Sequence, residues 1–257
     1  MAEIVNGPEN LREAVRRQLT AGVDVIKFCS TGGVLDPVSK PWDQEYSSEE
    51  MDMIIKEANR LKKRTSTHAQ GAAGVKAAVK AGVNSIEHGS LMDDECIALM
   101  KEKGTFLVPT LAPGYRIIEY GVKGGIPEVS VAKANASYDT HIQSFKKALK
   151  AGVKISMGTD CGTPFNHHGT NAFELELMVR YGMTEMAAIM ASTRVAAENL
   201  QLADKLGTIE EGKLADIIIL DGNPLEDIKL LQDKDRIKMV MKAGKIKVTR
   251  NMTGLQI

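Results

Sequence analysis

The sequence predicts an α/β fold built on a parallel sheet and followed by a small β appendage, and three observations lead there. A junction recurs: Ala21-Gly22-Val23, Ala81-Gly82-Val83 and Ala151-Gly152-Val153 each close an amphipathic stretch and open a short apolar run. Glycine suits the left-handed residue that ends a helix, and a β-branched residue suits the start of a strand. Helical stretches alternate with such runs, which implies single crossovers and parallel strands, closed as a barrel or open and doubly wound. After about residue 205 the character changes, and strands follow one another without helices between them.

Leu11, Val15 and Leu19 recur at helical spacing before the first junction, so a helix precedes the strand near Val23 to Phe28. Ser48 with Glu49 and Glu50 makes an acidic helix start ahead of Met51, matched to the positive end of a helix dipole. The runs Thr65 to His68 and Thr105 to Leu111 follow helical stretches that end near Arg64 and Lys103. With the runs after Gly82 and Gly152 they bring the number of expected strands to five. No Gly-x-Gly-x-x-Gly or Gly-x-x-x-x-Gly-Lys-Ser/Thr loop follows any of them, which weighs against a nucleotide-binding open sheet. Beyond Leu206-Gly207-Thr208-Ile209, an apolar run from Ala215 to Leu220 is expected to be followed by strands at about Ile237 to Met241 and Ile246 to Val248. The expected division is therefore residues 1–204 and 205–257.

A chain of 257 residues with 43% hydrophobic and 26% charged residues has the composition of a globular protein with a substantial core. Lys plus Arg and Asp plus Glu are equal at 33 each, so no global field attracts nucleic acid or anionic lipid, and a small molecule is the expected partner. Cys29, Cys96 and Cys161 are odd in number and widely spaced, which argues against a disulfide framework or a thiolate zinc site. A reducing cytoplasm is the expected compartment, because the first residues lack a signal pattern and no apolar run is long enough to span a membrane.

Four expected strands finish on, or immediately after, a residue able to bind a metal: Lys27, His68, His88 and Asp160. In a closed (β/α)8 barrel the C-terminal ends of the strands converge on one mouth, so their separation in sequence is no obstacle to a common site. Each also has a plainer reading. A lone histidine is more often a hydrogen-bonded residue than a ligand, a strand lysine can snorkel, and an aspartate in Gly158-Thr159-Asp160 can cap or turn. The shared station at strand ends favours ligation. His141, on a stretch with Lys146 and Lys147, reads as solvated, and at least one of the neighbours His167 and His168 as exposed. Cys29 and Cys161 read as small buried filler.

Ile26-Lys27, Thr67-His68-Ala69, Ile86-Glu87-His88-Gly89, Gly158-Thr159-Asp160 and Gly207-x-Ile209-x-x-Gly212-Lys213-x-Ala215-Asp216 together resemble successive signatures of the metal-dependent amidohydrolase superfamily. Within it, the chain is most similar to the imidazolonepropionase-like and Xaa-Pro dipeptidase-like group. The resemblance implies a TIM barrel represented here by about five strands, the family's fourth to eighth, with the tail contributing to a small β-sandwich. It implies a hydrolase that cleaves an amide or peptide C–N bond of a dipeptide or N-acyl amino acid through metal-bound hydroxide. Lys27 would carry a CO2-derived carbamate bridging two divalent metals, most simply zinc; His68 and His88 would bind one metal; Asp160 would touch the other and act as general acid/base. Tyr115 is the candidate substrate-binding residue, with His168 as a second.

The resemblance also implies a departure. The family's first strand ends in His-x-His, and this sequence contains no such pair. The expectation is therefore a truncated form, a partial gene product or a unit completed by another chain, weakly active or inactive alone. A non-catalytic remnant with a partial metal site is the alternative. Either way, uncovered strand edges lead to an expected homo-oligomer.

Overall fold

The structure is a computed structural model and describes residues 3–250. Four parallel strands, β1 Val25–Cys29, β2 Arg64–Gly71, β3 Ser85–Leu91 and β4 Phe106–Val108, form one sheet in the order in which the chain makes them. Helix α1 Pro8–Thr20 precedes β1, while α2 Ser48–Arg60, α3 Ala72–Ala81 and α4 Asp94–Lys103 are the crossovers. A doubly wound sheet reverses its strand order once, whereas this sheet advances without reversal, which is the winding of a barrel wall.

The two faces of the sheet differ in chemistry. Ile26, Phe28, Ala69 and Ile86 are buried and belong to the main core with Ile54 and Ile55 of α2, Val75 and Val79 of α3, and Met100 of α4. The opposite face is polar, because the register sets Lys27 beside Ser66, Ser66 beside Ser85, and His68 beside Glu87. Alternation within each strand separates the two sets.

Local signals act largely where the sequence places them. Gly82 and Gly152 end their helices with φ of 97° and 78°, and Gly22, with φ of 82°, follows the Ala21 that ends α1. Helix α2 starts at Ser48 with Glu49 and Glu50 in its first turn, and Ser47 is the cap, its hydroxyl accepting from Glu50 N–H at 3.3 Å while the Glu50 carboxylate accepts from Ser47 N–H at 2.8 Å. The same carboxylate accepts from Gly7 N–H at 2.8 Å, joining the starts of α1 and α2.

Two expected strands are shorter than the sequence suggests. The run Thr105 to Leu111 yields only three strand residues, because Pro109 has no N–H for the ladder and Thr110 turns left-handed at φ 49°. The run Val153 to Gly158, expected as the fifth strand, makes one parallel bridge, Ile155 with Leu107. Leu107 N–H donates to the Lys154 carbonyl and Ser156 N–H to the Leu107 carbonyl, both at 2.9 Å. A ladder needs a long partner, and the brevity of β4 limits it.

Helices α5 Leu111–Tyr120, α6 Glu128–Ala151, α7 Ala172–Arg180, α8 Glu185–Ser192 and α9 Arg194–Asn199 complete the helical part. A second sheet follows, with antiparallel strands β5 Ile217–Leu220, β6 Ile237–Lys242 and β7 Lys245–Thr249 in sequential order. Ala243 and Gly244, with φ of 48° and 74°, make the tight turn between β6 and β7. Among the described residues, no helix is long and apolar enough to cross a membrane.

Buried Glu57 of α2 accepts from Arg16 Nε of α1 at 2.9 Å and from Arg60 Nη1 at 2.8 Å, and Arg16 chiefly holds its carboxyl below the usual carboxylate range. A lowered folded-state pKa means that the stabilisation is present above the unfolded value and is lost as pH falls through the folded one. Because both guanidinium groups are more than half exposed, at 53% and 58%, solvent screens them. Glu57→Gln is expected to cost about 1 kcal/mol at pH 7 in urea unfolding, with the difference closing in acid below the carboxylate range.

Candidate active site

His68 ends the polar-face pattern of β2, and simple alternation would send His88 to the other face, since its register partner is the buried Ala69. The backbone overrides alternation. His88 has φ 73° and Gly89 has φ 61°, so the strand end is wound left-handed and the His88 ring turns toward His68. The two rings meet edge to face with centroids 4.5 Å apart. A non-glycine residue in this region costs about 1–3 kcal/mol and persists only where neighbours enforce it.

Two neighbours do so. His141 of α6 donates from Nε2 to the His88 carbonyl at 3.1 Å, and Thr110 Oγ1 lies 2.6 Å from His88 Nδ1. The Thr110 hydroxyl has one hydrogen, which it gives to the Pro109 carbonyl at 2.7 Å, so it accepts from His88 Nδ1–H. This network assigns a bare Nε2 to His88. His68 donates from Nε2 to the Gly32 carbonyl at 3.0 Å, which leaves its Nδ1 bare.

Desolvation keeps these rings neutral. It lowers the pKa of His68, takes that of His88 well below the ordinary imidazole value, and brings that of His141 down to about 4. A neutral imidazole with a bare nitrogen is a metal ligand or a proton acceptor.

Asp160 follows the Ile155 bridge at φ 49°, with its side chain exposed. Buried Asn166 holds the turn by donating from Nδ2 to the carbonyls of Thr159 at 2.7 Å and Asp160 at 3.0 Å. His68, His88, His141 and Asp160 line one cavity of about 160 Å3, whose apolar wall includes Val34, Ile117 and Ala134. Behind it, buried Glu174 of α7 accepts from Leu111 and Ala112 N–H, each at 2.8 Å, and so caps α5 at the cavity edge. Burial pushes its carboxyl up to about 8 against the pull of these two donors.

The other candidates do not line this cavity. Lys27 shares the sheet face of His68, but it is exposed and lines a groove of about 840 Å3 along the outer edge of β1, which His68 also lines and which adjoins the cavity at His68, Gly33 and Asp36. The burial expected for it is absent because, among the described residues, no strand pairs with that edge. Cys29, expected as buried filler, is exposed on the same face for the same reason, and Cys161 is half-buried. Tyr115 packs edge-on against Phe173 at 5.3 Å and Tyr138 at 6.4 Å, and Tyr138 rather than Tyr115 lines the cavity. His167 and His168 are exposed and line neither space.

His141 corrects the sequence reading most sharply, since it is only 6% exposed. Its helix carries a buried stripe at Ala134, Ser137, Tyr138, His141 and Phe145, the spacing of one helical face. That periodicity, rather than the nearby lysines, was the signal for its burial.

The donor set fits a divalent metal in kind but only partly in number. Two neutral imidazoles suit zinc. Among the described residues, however, no group of three His, Cys, Asp or Glu side chains is placed to hold a metal ion.

The amidohydrolase family model matches residues 1–247 of this chain. The chain belongs to the amidohydrolase family. It is 40% identical over 248 residues to ochratoxinase from Aspergillus niger, an alignment that covers 95% of this chain and 50% of that protein. A solved Xaa-Pro dipeptidase with methionine bound in its active site is similar at 42% identity and TM-score 0.87, over 95% of this chain and 59% of the other. A prolidase complexed with N-methylphosphonate-L-proline aligns at 34% identity and TM-score 0.91, over 97% of this chain and 60% of the other. The chain thus spans about half the length of the curated relative. The unreversed winding of its parallel sheet is that of the TIM-barrel type.

His141→Phe keeps the ring but removes the donor to the His88 carbonyl. It is expected to cost about 1–3 kcal/mol in urea unfolding. The His88 ring protons should also lose their nuclear Overhauser contacts to His68, and unchanged contacts would count against this account of the turn.

Proposed function

We propose that this chain forms the site of a hydrolase that cleaves an amide or peptide C–N bond in a small substrate such as a dipeptide or an N-acyl amino acid. The observation that carries the reading is the meeting of His68 and His88, 4.5 Å apart at their ring centroids, at a cavity that Asp160 also lines. The names of the related dipeptidase, prolidase and ochratoxinase support the same class.

The amidohydrolase family is generally metal-dependent. His68 and His88 are the residues that would hold a divalent metal, zinc by donor type, with Asp160 and a CO2-derived carbamate on Lys27 as proposed oxygen donors. Such a metal, when bound, supplies charge that polarises a carbonyl and acidifies water. Asp160 takes a proton from the attacking water and returns it to the departing nitrogen, one carboxylate serving as base and then acid. The neutral state of both imidazoles spares the site cationic repulsion. Val34, Ile117 and Ala134 exclude water from one wall and receive the apolar part of the substrate. Tyr115 and His168 remain proposed as substrate contacts through movement of their segments. All three cysteines are free, which suits a reducing compartment such as the cytoplasm.

A second reading, a partial metal site in a self-associating chain, is favoured by the lack of a three-ligand cluster among the described residues. Metal content separates the two. Nearly two zinc ions per chain after reconstitution supports the hydrolase site, whereas one or none supports the partial site. Zinc affinity unchanged in both His68→Ala and His88→Ala removes the metal proposal altogether. Where zinc-dependent dipeptide hydrolysis is present, Asp160→Asn is expected to lower kcat by about 10²–10⁴-fold.

Among the described residues no strand pairs with the outer edge of β1, and with the groove beside it this edge supports a homo-oligomer as a further proposal. Light scattering should report more than the 27.9 kDa of one chain at tens of micromolar, with a melting temperature that falls on dilution. A stable monomer with a constant melting temperature defeats this expectation.

A further inference from the structure

We propose that Lys133 is the latch of a loop that walls the cavity, and that release of this latch opens the His68–His88 site. The loop runs from Thr31 to Gln44, which pair as an antiparallel bridge, and Gly32 N–H donates to the Asp43 carbonyl at 3.0 Å to close its base. Gly33, Val34, Leu35 and Asp36 line the cavity, and the Gly32 carbonyl is the acceptor for His68 Nε2. The position of the loop therefore sets both access to the cavity and the partner of one of its imidazoles.

Lys133 reaches this loop from α6 and is only 9% exposed. Its ammonium has three donors, and each faces a loop carbonyl: Asp36 and Ser39 at 2.6 Å and Gly33 at 3.5 Å. The Asp36 carboxylate is occupied by the N–H groups of Val38 and Ser39, at 2.7 and 3.0 Å. The short turn is thus held at its carbonyl ends by Lys133 and at its N–H ends by Asp36. A buried ammonium left without acceptors is strongly disfavoured, so loop and lysine hold each other.

A second observation places the loop at the site: Gly33 and Asp36, with His68, border both the cavity and the groove of Lys27, so the loop stands between the two spaces. The device holds whatever the cavity binds.

Removal of the latch is therefore expected to free the loop alone in the full chain. Lys133→Met should speed hydrogen exchange of the amides at 33–40 by on the order of tenfold or more, with the protection of β1 to β4 unchanged. The only tryptophan, Trp42, lies in this loop, so its quenching by acrylamide should rise in parallel while far-UV circular dichroism stays constant. Lys133→Gln, which keeps a donor but removes the charge and shortens the reach to the three carbonyls, should speed exchange of the same amides. Lys147→Met, on the same helix but paired with Asp94 at the surface, should change neither. Exchange at 33–40 within about twofold of the parent in Lys133→Met, or a rise shared equally by β1 to β4, overturns the proposal. If Lys133→Met does not fold, Lys133→Gln decides: faster exchange confined to 33–40 supports the latch, and unchanged exchange or a rise shared by β1 to β4 overturns it.

Discussion

The hydrogen bond from His141 Nε2 to the His88 carbonyl joins the long helix α6 to the strand end at which the site is built. The left-handed turn at His88 points a carbonyl away from the ladder, and without His141 that group would be enclosed and unpaired. The turn in turn brings the second imidazole onto the face that carries the first. Desolvation keeps His141 neutral, and its ring lies against the backbone carbonyls of Pro109 and His88, so it ties the end of β3 to the segment after β4. Position of the helix, conformation of the strand end and pairing of the two histidines are one coupled arrangement.

Other segments at the mouth are set in the same manner, by a buried polar side chain that holds backbone groups of a neighbouring turn. Glu174 accepts two N–H groups at the start of α5, just after the Thr110 that meets His88. Asn166 holds the carbonyls on either side of the bond entering Asp160, and Lys133 gathers the carbonyls of the loop over the cavity. Each group is buried and would be costly unpaired, so each fixes its turn more firmly than an exposed residue could. The apolar core supplies the sheet and its helices. These polar contacts decide where the residues at its mouth point.

Much of this was legible in the chain. The glycine junctions mark the ends of α1, α3 and α6, and the apolar runs after the first two mark β1 and β3. The five signature segments identify the family, and the family model covers nearly all of the chain. The exposure of Lys27 was not legible, since burial of a strand residue depends on whether another strand lies alongside. Nor was the role of His141, because its contact with His88 spans 53 residues of sequence.

By itself, then, the sequence determined the alternation of helices and strands and the change of character after about residue 205. Those are consequences of local propensity and of periodicity along the chain, which act within a few residues. Only the tertiary structure decided that the ring of His88 faces His68 against the alternation of its strand, that Tyr138 rather than Tyr115 borders the cavity, and that Lys133 secures a loop about a hundred residues away. Left-handed turns at ordinary residues and buried polar contacts are unfavourable locally, and they exist where distant partners offset their cost.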